Sequence, residues 1–404
     1  MTTFLADFTI RNPSYQKIGG QIKEAADFLV AFGDTLVVVQ VKTKLVSDAQ
    51  ASLDQNDLKR AAKAVGKAFQ QFRAMLEAAH DPGFFTFRNA RGHELQFDKT
   101  GIKNMVALVI YGLVAPDGQF STTNLRFTQS CFPEDGIPIH LFSMREFRLL
   151  TTLADTFPDF LLYLDVRAQL HLQNLIHAHT LPADIWASLT FEAQELLAAM
   201  QANAPLNLDG THERHLPAMP GLEEAEKPSY FVDWLIEEMY HGIDAPAEFS
   251  KELVAKTKML APPGSLVAFQ RIIPELAKLR RRDRTELAVG FREKIERAQA
   301  DGFGFRVIKF DTHEEAFLLL AMEGSRQERQ VVLFNLARAA AYKLGVRHVI
   351  GIASAPLPLC TTDYDVIIAD AKEMTVDQPL IDAVNYYFGE PQEIARRPNI
   401  PSAH

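Results

Sequence analysis

The chain has 404 residues, 47% of them hydrophobic, with 42 Lys and Arg against 51 Asp and Glu. Such a length exceeds one ordinary core and predicts two or three globular domains. No apolar run approaches the ~20 residues of a membrane span. The opening Met1-Thr-Thr-Phe-Leu-Ala-Asp7 lacks the basic and apolar regions of a signal peptide, so a cytoplasmic protein is expected.

Charge is distributed unevenly. Residues 1–175 carry 18 basic and 18 acidic side chains, so the whole net charge of −9 lies beyond them. An acidic remainder argues against the whole chain coating nucleic acid, because phosphate contacts require positive surface. A neutral first part can still present a locally basic face. Cys131 and Cys360 show no metal-site spacing and are expected as reduced, buried thiols.

In chain order, residues 1–13 read as an extended arm or short strand ended by Pro13. Ser14–Lys23 predicts a first helix, interrupted by Gly19-Gly20 and restarting one turn before Glu24. Two apolar runs follow, Asp27–Phe32 and Leu36–Val41, the second almost entirely β-branched. Gly33-Asp34 between them predicts a two-residue type II′ hairpin turn. If Phe32 pairs with Thr35, Asp27 lies opposite Gln40, and opposed residues of an antiparallel pair share a face. Lys42, two residues beyond Gln40, shares it too. A carboxylate, an amide and an ammonium thus converge on an otherwise apolar hairpin, where burial is costly unless they satisfy one another or hold something.

A divalent metal bound to phosphate fits that set. Mg²⁺ takes oxygen ligands, usually one or two carboxylates plus phosphate and water. Asp27 is the fixed carboxylate, with the Gln40 amide oxygen or the Val41 carbonyl as a second ligand. Glu24 is placed to add an outer contact. Lys42 is placed to orient the attacking water and to stabilise charge growing on the phosphate.

Glu24, Asp27 and Gln40-Val41-Lys42, an acid and then (D/E/Q)-x-K on a hairpin, resemble the restriction-endonuclease-like, or PD-(D/E)XK, nuclease superfamily. The Gln at position 40 is similar to the QxK variant of Mrr-type DNA endonucleases. Ala26 stands where the motif's Pro is usual, and an amide is a weaker metal ligand than a carboxylate. The resemblance covers residues 1–175. It implies a mixed β-sheet flanked by helices, Mg²⁺ or Mn²⁺ as cofactor, and nucleic acid, DNA above all, as substrate.

A long helix from Gln55 or Asn56 to Ala79 is expected next. It has an apolar stripe at Leu58, Ala62, Val65, Phe69, Phe72 and Leu76, and Lys59, Lys63 and Lys67 on another face. The resemblance implies a helix there flanking the site, on which Lys63, Lys67 and Gln70 match basic or Gln residues. Lys44 completes the expected nucleic-acid contacts of this part. Lysines stepping by four also make an ordinary solvated helix face. Strands are predicted at Phe84–Phe87, Glu94–Phe97, Met105–Val114 and Ile137–Phe142, a loop at Ala115–Pro133, and a helical stretch from Met144 to Leu175 interrupted near Phe157-Pro158.

Residues 176–301 read as mainly helical, with helices at Ile185–Gln201, Tyr230–His241 and Ala247–Leu260. A Pro-, Gly- and charge-rich linker or loop is expected at Ala204–Ser229. His177, His179, His212 and His215 fall in this zone at spacings that suit zinc, but no cysteine completes a site. Lys278-Leu-Arg280-Arg281-Arg282-Asp-Arg284 is the one dense basic run, a candidate phosphate grip at Arg280, Arg281 and Arg282 or a charged helix end before Thr285–Ala300. Residues 302–404 return to α/β, with strands Phe305–Phe310, His348–Ala353 and Tyr364–Ala369 and the helix Arg326–Leu344 stopped by Gly345. Asp363, Asp365 and Asp370 read as surface acids flanking a strand.

The leading expectation is therefore a metal-dependent DNA endonuclease whose later regions serve recognition, oligomerisation or regulation. Alternatives are a catalytically silent nucleic-acid-binding module built on the same face, and a protein-interaction component whose acidic part does the work.

Overall fold

Ahead of the hairpin lie three short strands, β1 (Thr9–Arg11), β2 (Ser14–Gln16) and β3 (Ile22–Glu24). β2 and β3 pair antiparallel with Ser14 opposite Glu24, where the sequence predicts a helix. Gln-Ile-Lys-Glu suits a helix by propensity, but a segment cut by two glycines is too short to propagate one, and strand pairing satisfies its backbone instead. The computed structural model describes residues 8–11, 13–16, 22–24, 26–45, 63, 67, 70, 71, 84–88, 94–98, 101–114, 131–134, 136–177, 179–244, 265–356 and 364–389.

The hairpin itself forms as predicted. Gly33 takes φ 60°, while Asp34 is not among the residues with positive φ, the sign pattern of a type II′ turn. β4 (Phe28–Phe32) folds onto β5 (Thr35–Leu45) with Phe32 opposite Thr35 and Phe28 opposite Val39. Leu36, Val37, Val38 and Val39 are all buried, so β5 is covered on both faces.

β6 (Phe84–Arg88) and β7 (Glu94–Asp98) form the expected outer hairpin. β8 (Asn104–Val114), β9 (Cys131–Glu134) and β10 (Ile137–Ser143) complete a six-stranded mixed sheet in the order β1-β4-β5-β8-β10-β9. β5, β8 and β10 run parallel, while β1, β4 and β9 are antiparallel to their neighbours. β9 overlaps the end of the stretch expected to be a loop, Ala115–Pro133; Pro133, on this edge strand, needs no ladder partner for its missing N–H.

Helices follow the sheet. α1 (Met144–Leu153) opens on a capping box, Ser143 and Glu146 each closing the other's backbone N–H. α2 (Phe157–Leu172) is capped by Thr156, and Pro158 sits in its first turn, where a missing N–H costs nothing. The helix expected over Ile185–Gln201 breaks at Glu192 into α3 (Pro182–Phe191) and α4 (Ala193–Ala202). The expected linker is instead largely helical. α5 (Thr211–His215), a 3₁₀ turn at Leu216–Ala218, α6 (Met219–Glu226) and a second 3₁₀ turn at Lys227–Ser229 fill it. Its prolines Pro217 and Pro228 stand in the first turns of the 3₁₀ segments rather than interrupting them.

The chain divides into two compact units, Met1–Met219 and Pro220–His404, against the three-part division expected with boundaries at 175 and 301. Unit 2 contains α7 (Tyr230–Asp244), α8 (Ser265–Ala277) and α9 (Arg281–Asp301). It also contains β11 (Phe303–Lys309), β12 (Ala316–Met322), α10 (Arg326–Leu344), β13 (His348–Ser354), β14 (Tyr364–Asp370) and α11 (Gln378–Phe388). Its sheet runs β11-β12-β13-β14, with the central pair parallel and joined through α10. Leu333, Leu336, Ala337 and Ala340 of α10 pack on Leu318, Leu320, Val349 and Ala353. Gly351 makes that approach possible, since a Cβ there would lie 2.9 Å from both Leu333 Cδ1 and Ile367 Cγ1. α10 has the predicted bounds and ends on Gly345 at φ 63°. The helix expected at Ala247–Leu260 lies outside the described residues. Among the described residues no helix is long and apolar enough to cross a membrane.

Candidate active site

β4 stops at Phe28, but β5 continues past it, so the β4–β5 ladder ends at Val39. Just beyond the ladder the Asp27 side chain meets the β5 backbone. Its Oδ2 accepts the Val41 backbone N–H at 2.6 Å and the Lys42 Nζ at 3.4 Å. Lys42 Nζ also donates to Gln40 Oε1 at 3.0 Å. The three groups that the predicted register brings to one face thus form one connected polar cluster. Gln40 is buried, at 2%, whereas the Lys42 and Asp27 side chains remain 20% and 29% accessible. The cluster is seated in the sheet and opens to solvent.

The donor chemistry suits one hard cation at the lower limit. Both hydrogen bonds of Asp27 fall on Oδ2, leaving Oδ1 as an acceptor. Val41 turns its N–H toward Asp27, and a strand residue's N–H and carbonyl point the same way, so its carbonyl lies on that edge as well. One carboxylate oxygen, one amide oxygen and one carbonyl, completed by phosphate and water, meet the Mg²⁺ pattern. Among the described residues no group of three or more His, Cys, Asp or Glu could hold a metal ion. The site therefore depends on a single described carboxylate.

The other expected site residues separate into groups. Glu24 is on β3 opposite Ser14, not at a helix end. Lys44 continues β5 opposite Leu113. Lys63, Lys67 and Gln70 are helical and exposed, as their spacing predicts, and Gln71 is helical too; the other residues of the helix expected there lie outside the described residues. The basic run behaves differently. Arg281 is buried, donating to Asp233 Oδ2 at 2.6 Å and to Ser229 Oγ at 2.9 Å. Arg284 is buried beside it and pairs with the same Asp233. Arg281 is thus a core ion-pair residue, unavailable to phosphate, and its candidacy is withdrawn. Arg282 is exposed and Arg280 is the half-buried residue that precedes α9.

Asp365 and Asp370, expected on the surface, are buried. Asp365 accepts from Arg326 Nε at 2.8 Å, Arg329 Nε at 3.1 Å and Gln330 Nε2 at 2.6 Å. Asp370 accepts from Arg271 at 3.1 Å and contacts His348 Nε2 at 3.1 Å. The histidines of the middle region make local contacts: the His177 and His179 rings stack at 5.5 Å, and His215 Nε2 lies 2.9 Å from Glu192.

Two neighbours of the cluster carry no linear signal. In the parallel register Lys42 stands beside Tyr111 of β8, and Tyr111 beside Ser143 of β10, so the three occupy one row on one face. Only the strand order, which joins segments some 70 and 30 residues apart, reveals that row. No protein-family model, no curated protein and no solved structure matches this chain significantly.

Proposed function

We propose that unit 1 is a divalent-metal-dependent phosphodiesterase acting on nucleic acid, a DNA endonuclease of restriction-endonuclease-like architecture. The observation that carries this reading is the convergence of Asp27, Gln40 and Lys42 at the solvent-open end of the β4–β5 hairpin. A mixed sheet with an antiparallel hairpin feeding a parallel pair supports the same architecture.

Asp27 Oδ1, Gln40 Oε1 and the Val41 carbonyl would hold Mg²⁺ or Mn²⁺. When bound, the cation supplies Lewis-acid stabilisation of the phosphate and acidifies a water. Asp27 is held in place by the Val41 N–H, so its free oxygen keeps a fixed direction. Lys42 carries a positive charge that Asp27 and Gln40 orient and that would stabilise negative charge growing on the scissile phosphate. Lys63, Lys67 and Gln70, with Lys44, supply non-specific backbone contacts.

The test uses the full chain with plasmid, linear and single-stranded DNA, with and without Mg²⁺ or Mn²⁺. Cleavage that requires the metal is expected, reduced by about 10²–10³ in Asp27→Ala and in Lys42→Ala, with the fold intact by circular dichroism. Undiminished cleavage in both variants removes these residues from the mechanism. One observation favours a second reading. Lys42 already closes the cluster by bonding both Asp27 and Gln40, as a static binding face would. That reading predicts a gel shift without cleavage under either metal.

A further inference from the structure

Lys42 holds the same two side chains that the metal reading assigns to a divalent cation. Its ammonium lies 3.0 Å from Gln40 Oε1 and 3.4 Å from Asp27 Oδ2. The two cations cannot both be held there at full strength. Mg²⁺ sits about 2.1 Å from a ligand oxygen, so on Gln40 Oε1 it would lie no more than about 5 Å from Nζ, whatever its direction of approach. At that separation a single and a double positive charge repel strongly. The setting screens them less than open water does, because Gln40 is buried and Lys42 is mostly covered.

Charge balance points the same way. Asp27 is the one carboxylate that the described contacts pair with Lys42, and the ammonium cancels its charge. The cluster as it stands is therefore neutral. Affinity for a hard dication follows the charge of its ligands, so a neutral cluster attracts one weakly. With the ammonium gone, the same oxygens carry a net negative charge.

Of the three side chains, Lys42 is the one able to move. Asp27 is tied to the Val41 N–H at 2.6 Å, and Gln40 is packed inside the sheet. Lys42 joins its charge to β5 by a flexible four-carbon stem and reaches solvent. Its ammonium can swing outward while Asp27 and Gln40 stay in place, and the stem keeps it beside the site.

We propose that Lys42 is the resident cation of this site, holding Asp27 and Gln40 in place of a divalent metal, and that the metal binds only as the ammonium leaves them. The proposal rests on the metal-dependent reading above and adds a gate to it. A lysine bonded to both partners, the pattern shared with a static binding face, is then the closed state of an exchangeable site. Once released, the same charge is free to meet the phosphate.

The experiment titrates the full chain with Mn²⁺ in the absence of nucleic acid, with free Mn²⁺ read by electron paramagnetic resonance. It compares the wild type with Lys42→Met, which keeps most of the stem and removes the charge. Asp27→Asn in each background subtracts Mn²⁺ bound elsewhere. Lys42→Met should bind the Asp27-dependent Mn²⁺ about tenfold more tightly than the wild type, even though its cleavage is lost. A lysine that only props up the site would give the opposite change, weaker binding in the variant. Acetic anhydride labelling of the wild type, read by mass spectrometry, does not depend on the variant folding. Mn²⁺ should raise the reactivity of Lys42 while the lysines of unit 2 keep theirs. Equal or weaker Mn²⁺ binding by Lys42→Met, or unchanged Lys42 labelling, overturns the gate and leaves the metal reading standing. No Asp27-dependent Mn²⁺ binding in either protein ends the metal reading itself, and the gate with it.

Discussion

Each unit places an aspartate beside the rim of its sheet, and the two are used in opposite ways. Asp365, the second residue of β14, is buried and receives three side-chain donors from α10, so its lone pairs are spent inside the protein. Asp27 precedes β4, receives one backbone N–H and one ammonium on the same oxygen, and remains partly open. A saturated acid fixes a helix to a sheet; an acid with an oxygen left over is available for chemistry. The comparison extends to the arginines. Arg329 is buried with its acid, whereas Arg167 of α2 is buried against the Phe142 ring, His140 and the Leu141 carbonyl.

The same substitution in both units separates these roles most strongly. Asp365→Asn leaves Arg329 buried and uncompensated, and removing one partner of a buried pair costs about 3–5 kcal/mol. Asp27→Asn breaks a partly exposed contact to Lys42, so less than about 1 kcal/mol is expected from the ion pair. Urea denaturation of the two variants measures the difference. Equal losses would mean that Asp27 is as structural as Asp365 and would weaken the case for chemistry at the hairpin.

Acid should divide the units next. His171 is pushed by burial and Arg167 from an ordinary 6.5 to about 4, and His140 is lowered in the same sense. The unfolded chain therefore takes up protons below about 6.5 that folded unit 1 refuses, and stability falls as pH drops from there toward 4. In unit 2, burial raises Asp370, but the Lys372 N–H, His348 and Arg271 outweigh it and hold the carboxyl below its usual range. That contribution is intact above the ordinary carboxylate pKa and is lost only as pH falls through the depressed value. Hydrogen exchange followed from pH 7 to 3 should show unit 1 loosening first, and His171→Asn should narrow the gap. Simultaneous loss in both units would contradict the assignment.

How much of this was legible in the sequence depended on the range of the interaction. The expected Asp27–Gln40 opposition follows from Gly33-Asp34, because a two-residue turn fixes register; the structure keeps that register from Phe32–Thr35 to Phe28–Val39, one pair short of Asp27, whose side chain then bonds the Val41 N–H. α10 was readable from end to end, since Ser325 with Glu328 and then Gly345 are local stop signals. β12 was not. Ala316-Phe-Leu-Leu-Leu-Ala-Met322 is buried along almost its whole length, so it shows no alternation, and its Leu, Ala and Met are better helix than strand formers. The basic run misled for a different reason. Its partner Asp233 is 48 residues before Arg281, and no local pattern announces that a charge will be neutralised from that distance. The same holds for Arg167 and His140, 27 residues apart, and for the row formed by Lys42, Tyr111 and Ser143.

The smallest effect tests whether burial, rather than motif, sets the worth of a local signal. Both units open a helix on a capping box of nearly the same geometry. Ser143 N donates to Glu146 at 2.7 Å and Ser325 N to Glu328 at 2.8 Å, with return bonds of 3.2 and 3.3 Å. Ser143 is buried, whereas Ser325 is exposed. When the hydroxyl is removed at Ser325, water can reach the freed N–H of Glu328; at Ser143 it cannot do so as easily. Loss of an N-cap costs about 0.5–2 kcal/mol, and Ser143→Ala should fall near the top of that range and Ser325→Ala near the bottom. Chemical denaturation of the two variants decides it: equal costs would show that capping strength is carried by the hydrogen bonds alone, and that partial burial at a strand end, the property that sets Asp27 apart from Asp365, matters less than the comparison requires.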